Sequence, residues 1–255
     1  MRKKKSTPPR SKVSSFKHDI SPVIKDYKKL VASATSCQGI WGFDDPSHLT
    51  LDASGGVVSV ASWKDSVALL SFKSGIKKAS LVAKSKGGTV AAIPSGTSYL
   101  ADSAIKINGN LPYSILVLAK PDNYTSQMAI AGAPIGSLGN NIRIESLTGN
   151  KMPLMRNVRG AGLPNIVVPD TSVYVAFLAT FDGTTTKAIN LTAGSGTSSV
   201  EASSTMALDF LLGSENLYPF AGEVDLVALF NKDVTSDALL YEYIKYFTEM
   251  RLAKI

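Results

Sequence analysis

The sequence predicts an all-β fold, two antiparallel sheets packed as a β-sandwich of the jelly-roll type, with one helix near each end. Three observations carry this. Short apolar runs alternate with Gly-, Asn- and Asp-containing turns along most of the chain. Helical spacing of apolar residues is confined to two stretches, residues 21–36 and the segment after Ser236. A chain of 255 residues that is 44% hydrophobic and 18% charged suits one large core, and sandwiches of this size are commonly single domains.

Residues 1–20 form a polar, basic arm carrying Pro8-Pro9. Residues 1–30 hold ten Lys and Arg against two Asp, a net of +8 out of the chain's +7, so the body is close to neutral. Contact with nucleic acid is therefore expected through the arm alone, where Arg2, Lys3, Lys4, Lys5, Arg10 and Lys12 would anchor by charge. No apolar segment follows MRKKKSTPPRSK, so it does not read as a secretory signal. No apolar run approaches the length of a membrane span.

Ser21 followed by Pro22 reads as a helix cap with proline at the first helical position. Val23, Ile24, Tyr27, Leu30, Val31 and Ala34 then repeat at helical spacing over residues 21–36. Residues 21–38 are thus a docking helix, and residues 39–255 the sandwich with its closing helix.

From Gly39 the grammar changes to strands. A Trp41-led segment, a turn at Asp45-Pro46, a second turn at Ser54-Gly55-Gly56 and an alternating strand ending on Trp63 open the sandwich. Strands are expected over 84–93 and 98–107, then over 113–119, whose YSILVLA suits burial on both faces. Further strands follow at 127–132, 141–146 and 152–157, the last after the turn Thr148-Gly149-Asn150. Residues 173–181 turn at Asp182-Gly183 into 186–192. Strands at 209–213 and 223–230 come last. In the latter, strict alternation puts Val224, Leu226, Ala228 and Phe230 on one face and Glu223, Asp225, Val227 and Leu229 on the other. Thr235 or Ser236 caps the final helix, with Leu239, Leu240, Tyr243, Ile244, Phe247 and Met250 as its apolar stripe and Phe220, Leu239 and Tyr243 helping to dock it.

Several of these motifs resemble concanavalin A-like (laminin-G-like) sandwich domains. The matching residues are Trp41, Asp44, Leu49-Thr50-Leu51, Val58, Val60, Trp63 and Asp65 at the start, and Ala179-Thr180-Phe181-Asp182-Gly183-Thr184 in the middle. At the end, Pro219-Phe220, Gly222-Glu223-Val224-Asp225 and Val227 with the capped helix complete the likeness. The glycine-rich run that follows W-x-D in such domains is replaced here by residues 66–70. The resemblance implies a lectin-like or glucanase-like sandwich of a kind also found in bacteriophage structural proteins.

Enzyme chemistry is weighed against these residues. Glu223 and Asp225 lie at the spacing of a glucanase strand, yet Val227 and Ala228 stand where the second catalytic Glu would be, so no glycosidase pair forms. Only His48 lies within the body as a base, no G-x-S-x-G elbow occurs, and phosphate-binding glycine loops are absent from the sequence. Asp44, Asp45 and Asp52, near His48, are the weak candidates for a metal; calcium accepts such oxygens, whereas loop aspartates more often build turns. Cys37, the single cysteine, is expected as a free buried thiol and suits a reducing compartment. Tyr99, Tyr124 and Tyr218, read as loop residues, are the candidates for stacking on a sugar or meeting a partner.

These readings predict a non-enzymatic virion component, a decoration, tail or fibre protein folding in a host cytoplasm. It would assemble with other virion proteins through the arm and the helix of residues 21–36 and present the sandwich outward to a surface glycan or a protein. The alternatives are a cellular carbohydrate-binding module and a capsid-type protein contacting nucleic acid through the arm.

Overall fold

The computed structural model describes residues 26–133, 142–156, 164–168, 170–200, 207–214 and 218–255, and the arm residues Arg2 to Lys12 lie outside them. Helix α1 (Tyr27–Ala32) leads into β1 (Cys37–Gly42), β2 (Leu49–Leu51), β3 (Val57–Ala61), β4 (Leu69–Ser74), β5 (Ser80–Ala83) and β6 (Thr89–Ile93). Strands β7 (Ser98–Ala101), β8 (Lys106–Asn108), β9 (Tyr113–Pro121), β10 (Met128–Gly132), β11 (Ile142–Ser146), β12 (Lys151–Arg156) and β13 (Asn165–Val167) follow. The chain closes with β14 (Val175–Phe181), β15 (Thr185–Asn190), β16 (Ser195–Val200), β17 (Ala207–Asp209), β18 (Leu211–Gly213), β19 (Gly222–Phe230) and helix α2 (Ala238–Leu252).

Among the described residues these make two large antiparallel sheets, the expected sandwich. One runs β16-β15-β14-β9-β19-β6-β5, with β1 also paired to β19; the other runs β13-β12-β11-β10-β18-β7-β4-β3-β2. The helices cover the outer face of the first sheet, so the molecule has three layers. Strand β9 shows why its sequence is apolar throughout. Ile115, Val117 and Ala119 enter the core between the sheets, while Leu116 and Leu118 face the helix layer. The inter-sheet core includes Trp41, fully buried against Phe210 at 5.8 Å, with its indole N–H donating to Ala68 O at 3.1 Å.

Several sequence expectations shift. The first helix ends at Ala32 rather than Ser36, because Ser33 closes it and Cys37 already pairs in β1. Its described start is capped by Asp26, whose carboxylate accepts from Lys29 N at 2.9 Å; the Ser21-Pro22 cap lies outside the described residues. Residues 84–88 are a turn and only 89–93 a strand: Lys84 N bonds Gly88 O and Gly87 adopts φ +91°, closing the hairpin between β5 and β6. The final helix is capped by Asp237, which accepts from Leu240 N, while Thr235 and Ser236 belong to a 3-10 turn headed by Asp233. Leu240, Ile244 and Phe247 dock α2, each worth about 2 kcal/mol on burial. Phe220 instead lies between the sheets and Leu239 is 63% exposed, so of the three expected docking residues only Tyr243 packs there.

The largest departure is in β19. Its pairing with β9 slips between Val224 and Leu226, leaving Asp225 as the extra residue of a β-bulge. Val224, Val227 and Leu229 therefore enter the inter-sheet core, and Leu226, Ala228 and Phe230 face the helices. Strict alternation fails at one residue, and everything beyond it changes face relative to Val224.

Candidate ligand-binding cleft

Two of the three tyrosines expected at the surface are core residues. Tyr99 lies in β7, fully buried, its hydroxyl donating to Val57 O and accepting from Ala79 N, both at 2.9 Å. Burial pushes this phenol up to about 12. Tyr124 is 5% exposed, with its hydroxyl on Met152 Sδ at 3.6 Å, and burial raises its pKa as well. Neither ring can lie on a sugar. Alternation of β7 and the inward fold of the 121–128 turn defeat the loop reading. Tyr218 alone is half-exposed.

The three aspartates do not converge on one point, and no group of three His, Cys, Asp or Glu gathers among the described residues. Asp44 pairs with Arg251. Asp45 receives Ser47 N, Ser47 Oγ and Lys28 Nζ, the last at 3.0 Å, and His48 Nε2 stands 3.9 Å away. Asp52 Oδ1 accepts from Ser54 N, Ser54 Oγ and Gly56 N, and Oδ2 from Lys78 Nζ at 2.9 Å. Asp45 and Asp52 are turn-forming and ion-pairing carboxylates, and Asp44 is held by Arg251 through Oδ2.

Glu223 and Asp225 are similarly occupied. Lys84 at 2.8 Å, Lys120 at 3.3 Å and the Tyr174 hydroxyl all meet Glu223 Oε2. Asp225 is fully buried against Arg251 beneath α2. Asp225 thus lies under α2, while Glu223 is held by two lysines and a tyrosine and stays partly exposed.

Open space occurs at the end of the second sheet. A cleft of about 440 Å³ is bounded by the turn Asp52-Ser54-Gly55-Gly56, by Phe72 of β4, and by Gly75, Ile76, Lys77, Lys78 and Ser80. Asp52 rigidifies one wall through its three bonds to Ser54 and Gly56 and clamps Lys78 on the opposite wall. Ammonium Nζ of Lys78 stands 5.2 Å from the Phe72 ring centre. Tyr99 supports the site from below: its ring meets Phe72 edge-on at 5.9 Å, and its hydroxyl ties the Val57 strand to Ala79. On the opposite face of β4 and β7, away from the Phe72 ring, Leu69, Ser71, Lys73, Leu100 and Asp102 line a separate groove of about 310 Å³. A half-buried aromatic ring beside a polar-walled cleft of this size suits a ligand with an apolar and a hydroxyl face.

Phe72 was missed because its segment, 69–74, follows W-x-D where the expected glycine run is absent, and no periodicity distinguishes a half-buried edge aromatic from a core one. Asp52, nominated for a metal, belongs to this cleft in a different role.

No family model matches the chain, and no curated protein matches it in sequence. Solved structures do match in fold. Trypanosoma rangeli sialidase in complex with 2,3-difluoro-KDN aligns with a TM-score of 0.56 at 12% identity, over 84% of this chain and 33% of the sialidase. The binding domain of Paraclostridial Mosquitocidal Protein 1 aligns with a TM-score of 0.56 at 9% identity, over 85% and 53%. The CBM40 of Ruminococcus gnavus IT-sialidase bound to α2,3-sialyllactose aligns with a TM-score of 0.45 at 15% identity, over 60% and 96%. This chain spans about a third of the sialidase and about half of the mosquitocidal binding domain. At such identities the likeness of the first two is one of fold: the lectin-like β-sandwich.

Proposed function

We propose that this chain is a non-catalytic glycan-binding sandwich module, with the ligand held in the 440 Å³ cleft beside Phe72. The observation that carries the reading is the half-buried Phe72 ring beside this cleft, walled by Asp52, Ser54 and Lys78. A pyranose ring presents an apolar face to an aromatic side chain and hydroxyls to such polar walls. The binding role of a mosquitocidal protein domain of the same fold supports it. Occupation of Glu223 and Asp225 by Lys84, Lys120 and Arg251 supports a module without hydrolytic chemistry.

Titration calorimetry of the intact chain against neutral oligosaccharides, chosen from an array screen, tests the reading. Phe72→Ala is expected to weaken binding about tenfold, roughly 1.4 kcal/mol, as for a lost stacking platform. Undiminished binding by Phe72→Ala would remove the cleft from consideration, and an array without hits would remove the function.

A virion component is the companion proposal, supported by the +8 arm, which would attach such a module to a particle of complementary charge. Deleting residues 1–25, which spares α1 and its buried Val31 and Ala32, is expected to abolish incorporation into particles while leaving glycan binding intact.

A further inference from the structure

Among the described residues the two large sheets end at four edge strands, β5 and β16 in the first and β2 and β13 in the second. An edge strand offers its backbone N–H and C=O groups to other chains, and folds blunt it by shortness, charge, proline or a bulge. Three of these edges are blunted. Strands β2 and β13 have three residues each, and β2 also slips its register between Thr50 and Leu51. Strand β5 has four residues and is flanked by Lys78 and Lys84. Strand β16 differs. It runs for six residues, Ser-Gly-Thr-Ser-Ser-Val, with no charge and no proline, and pairs with β15 at all six positions without a register shift.

The faces of β16 follow from its partner strand. Thr197 lies opposite Ala188, a residue of the inter-sheet core, and so turns inward. Its hydroxyl donates to Asn165 O at 2.7 Å and accepts from Asn165 N at 2.6 Å, which ties β16 to β13 of the other sheet. Gly196, Ser198 and Val200 then share the outer face. All three are exposed, Val200 at 78%. A bare glycine and an exposed valine, placed symmetrically about Ser198 on one face, make the strand complementary to its own inverted copy.

We infer that β16 is the docking edge for a second copy of this chain, the two strands pairing antiparallel about a two-fold axis at Ser198. An antiparallel strand pair is two-fold symmetric by construction, so one strand supplies both halves of an isologous contact. With Ser198 opposite its counterpart, Val200 of each copy falls opposite Gly196 of the other on the same face. There the valine gains cover, and the missing side chain of the glycine leaves it room. Thr197 falls opposite Ser199, and the uncharged strand sets no like charges against each other. The first sheet thereby continues from one copy into the other. This contact is independent of the cleft at the end of the second sheet, and it makes any binding there bivalent.

The test uses the full chain. Six residues of strand make a small interface, so a dissociation constant on the order of 0.1 mM is expected. Sedimentation equilibrium is expected to show a weight-average mass that rises with concentration toward twice that of one chain and no further. Ser198→Lys sets two ammonium groups at the axis and is expected to hold the mass at one chain, with an unchanged circular dichroism spectrum because the position is exposed. Ser198→Cys is expected to form a disulfide-linked dimer when added diamide takes two electrons and two protons from the pair of thiols. Across an antiparallel pair the two Cα atoms stand about 4.5–5.5 Å apart, within disulfide reach. Ser195→Cys, on the same strand, lies about 20 Å from its counterpart in this register and is expected not to cross-link. The native Cys37 is buried and adds no background. A single-chain mass up to about 1 mM overturns the pairing. So does cross-linking through Ser195→Cys as fast as through Ser198→Cys, or association of the Ser198→Lys chain equal to that of the unaltered one. Growth beyond a dimer overturns the two-fold closure.

Discussion

Arg251 of α2 forks onto Asp225 at the bulge of β19, Nε reaching Oδ2 at 2.8 Å and Nη2 reaching Oδ1. Nη1 of the same arginine turns to Asp44, just after β1. One guanidinium thereby joins the last helix, the central strand and the entry of the sandwich. The bulge is what lets it do so, since Asp225 is the residue that β9 leaves unpaired and it falls on the face that α2 covers.

Arg251→Ala is expected to be among the costliest substitutions in the chain. It leaves the buried Asp225 and the partly buried Asp44 without their cation, a loss of about 3–5 kcal/mol for breaking one side of a buried pair. Urea denaturation followed by tryptophan fluorescence measures it, and a loss below about 1 kcal/mol would contradict the clamp.

Gly42→Ala tests the close approach that β1 makes possible. A Cβ at Gly42 would lie 2.1 Å from Cη2 of Trp63. That indole cannot step aside easily: Trp63 N donates to Ile40 O at 2.8 Å, Lys28 Nζ lies 4.0 Å above the ring and Phe247 meets it edge-on at 6.1 Å. An overpacking cost of about 1–3 kcal/mol is expected. Trp63→Leu in the same chain is expected to return part of it, measured as a double-mutant cycle.

Acid sensitivity should trace in part to Asp45. Hydrogen bonds from the Ser47 hydroxyl, helped by Lys28, hold its carboxyl at about 2 against an ordinary 3.8. A carboxyl depressed in the folded state binds its proton less readily than in the unfolded chain. Its contribution is therefore full above pH 4 and disappears as pH falls through 2. The drop in thermal midpoint between pH 5 and pH 2 is expected to be smaller in Asp45→Asn; an equal drop would rule this carboxyl out as a contributor.

Cys37 should be chemically silent in the folded protein. It is fully buried in β1, and burial pushes the thiol up to about 12, leaving negligible thiolate at neutral pH. A chromogenic disulfide reagent at pH 8 is expected to find no reactive thiol in the native chain and one in denaturant. Rapid native reaction would show that β1 opens on the timescale of the assay.

The sequence by itself determined the fold class and most of the strands. YSILVLA announced a strand with two buried faces, Asp182-Gly183 and Thr148-Gly149-Asn150 marked their hairpins, and helical spacing after Ser236 placed α2, because these signals are local periodicities and turn conformations. Leu49, Trp41, Trp63 and the closing strand carried the lectin-like likeness for the same reason. What only the tertiary structure decided were matters of registry and shelter. A one-residue slip in the pairing of β19 with β9 sent Val227 to the opposite face from Asp225, and no count along the strand contains that slip. Tyr99 and Tyr124 looked like Tyr218 in sequence; whether a phenol meets water or a backbone carbonyl depends on strands far away in the chain, such as β3 above Tyr99. Phe72 gained its neighbours in the same way. The ring of Phe72 is flanked by the turns at 52–56 and 75–80, contacts that exist because the sheet brings distant segments side by side.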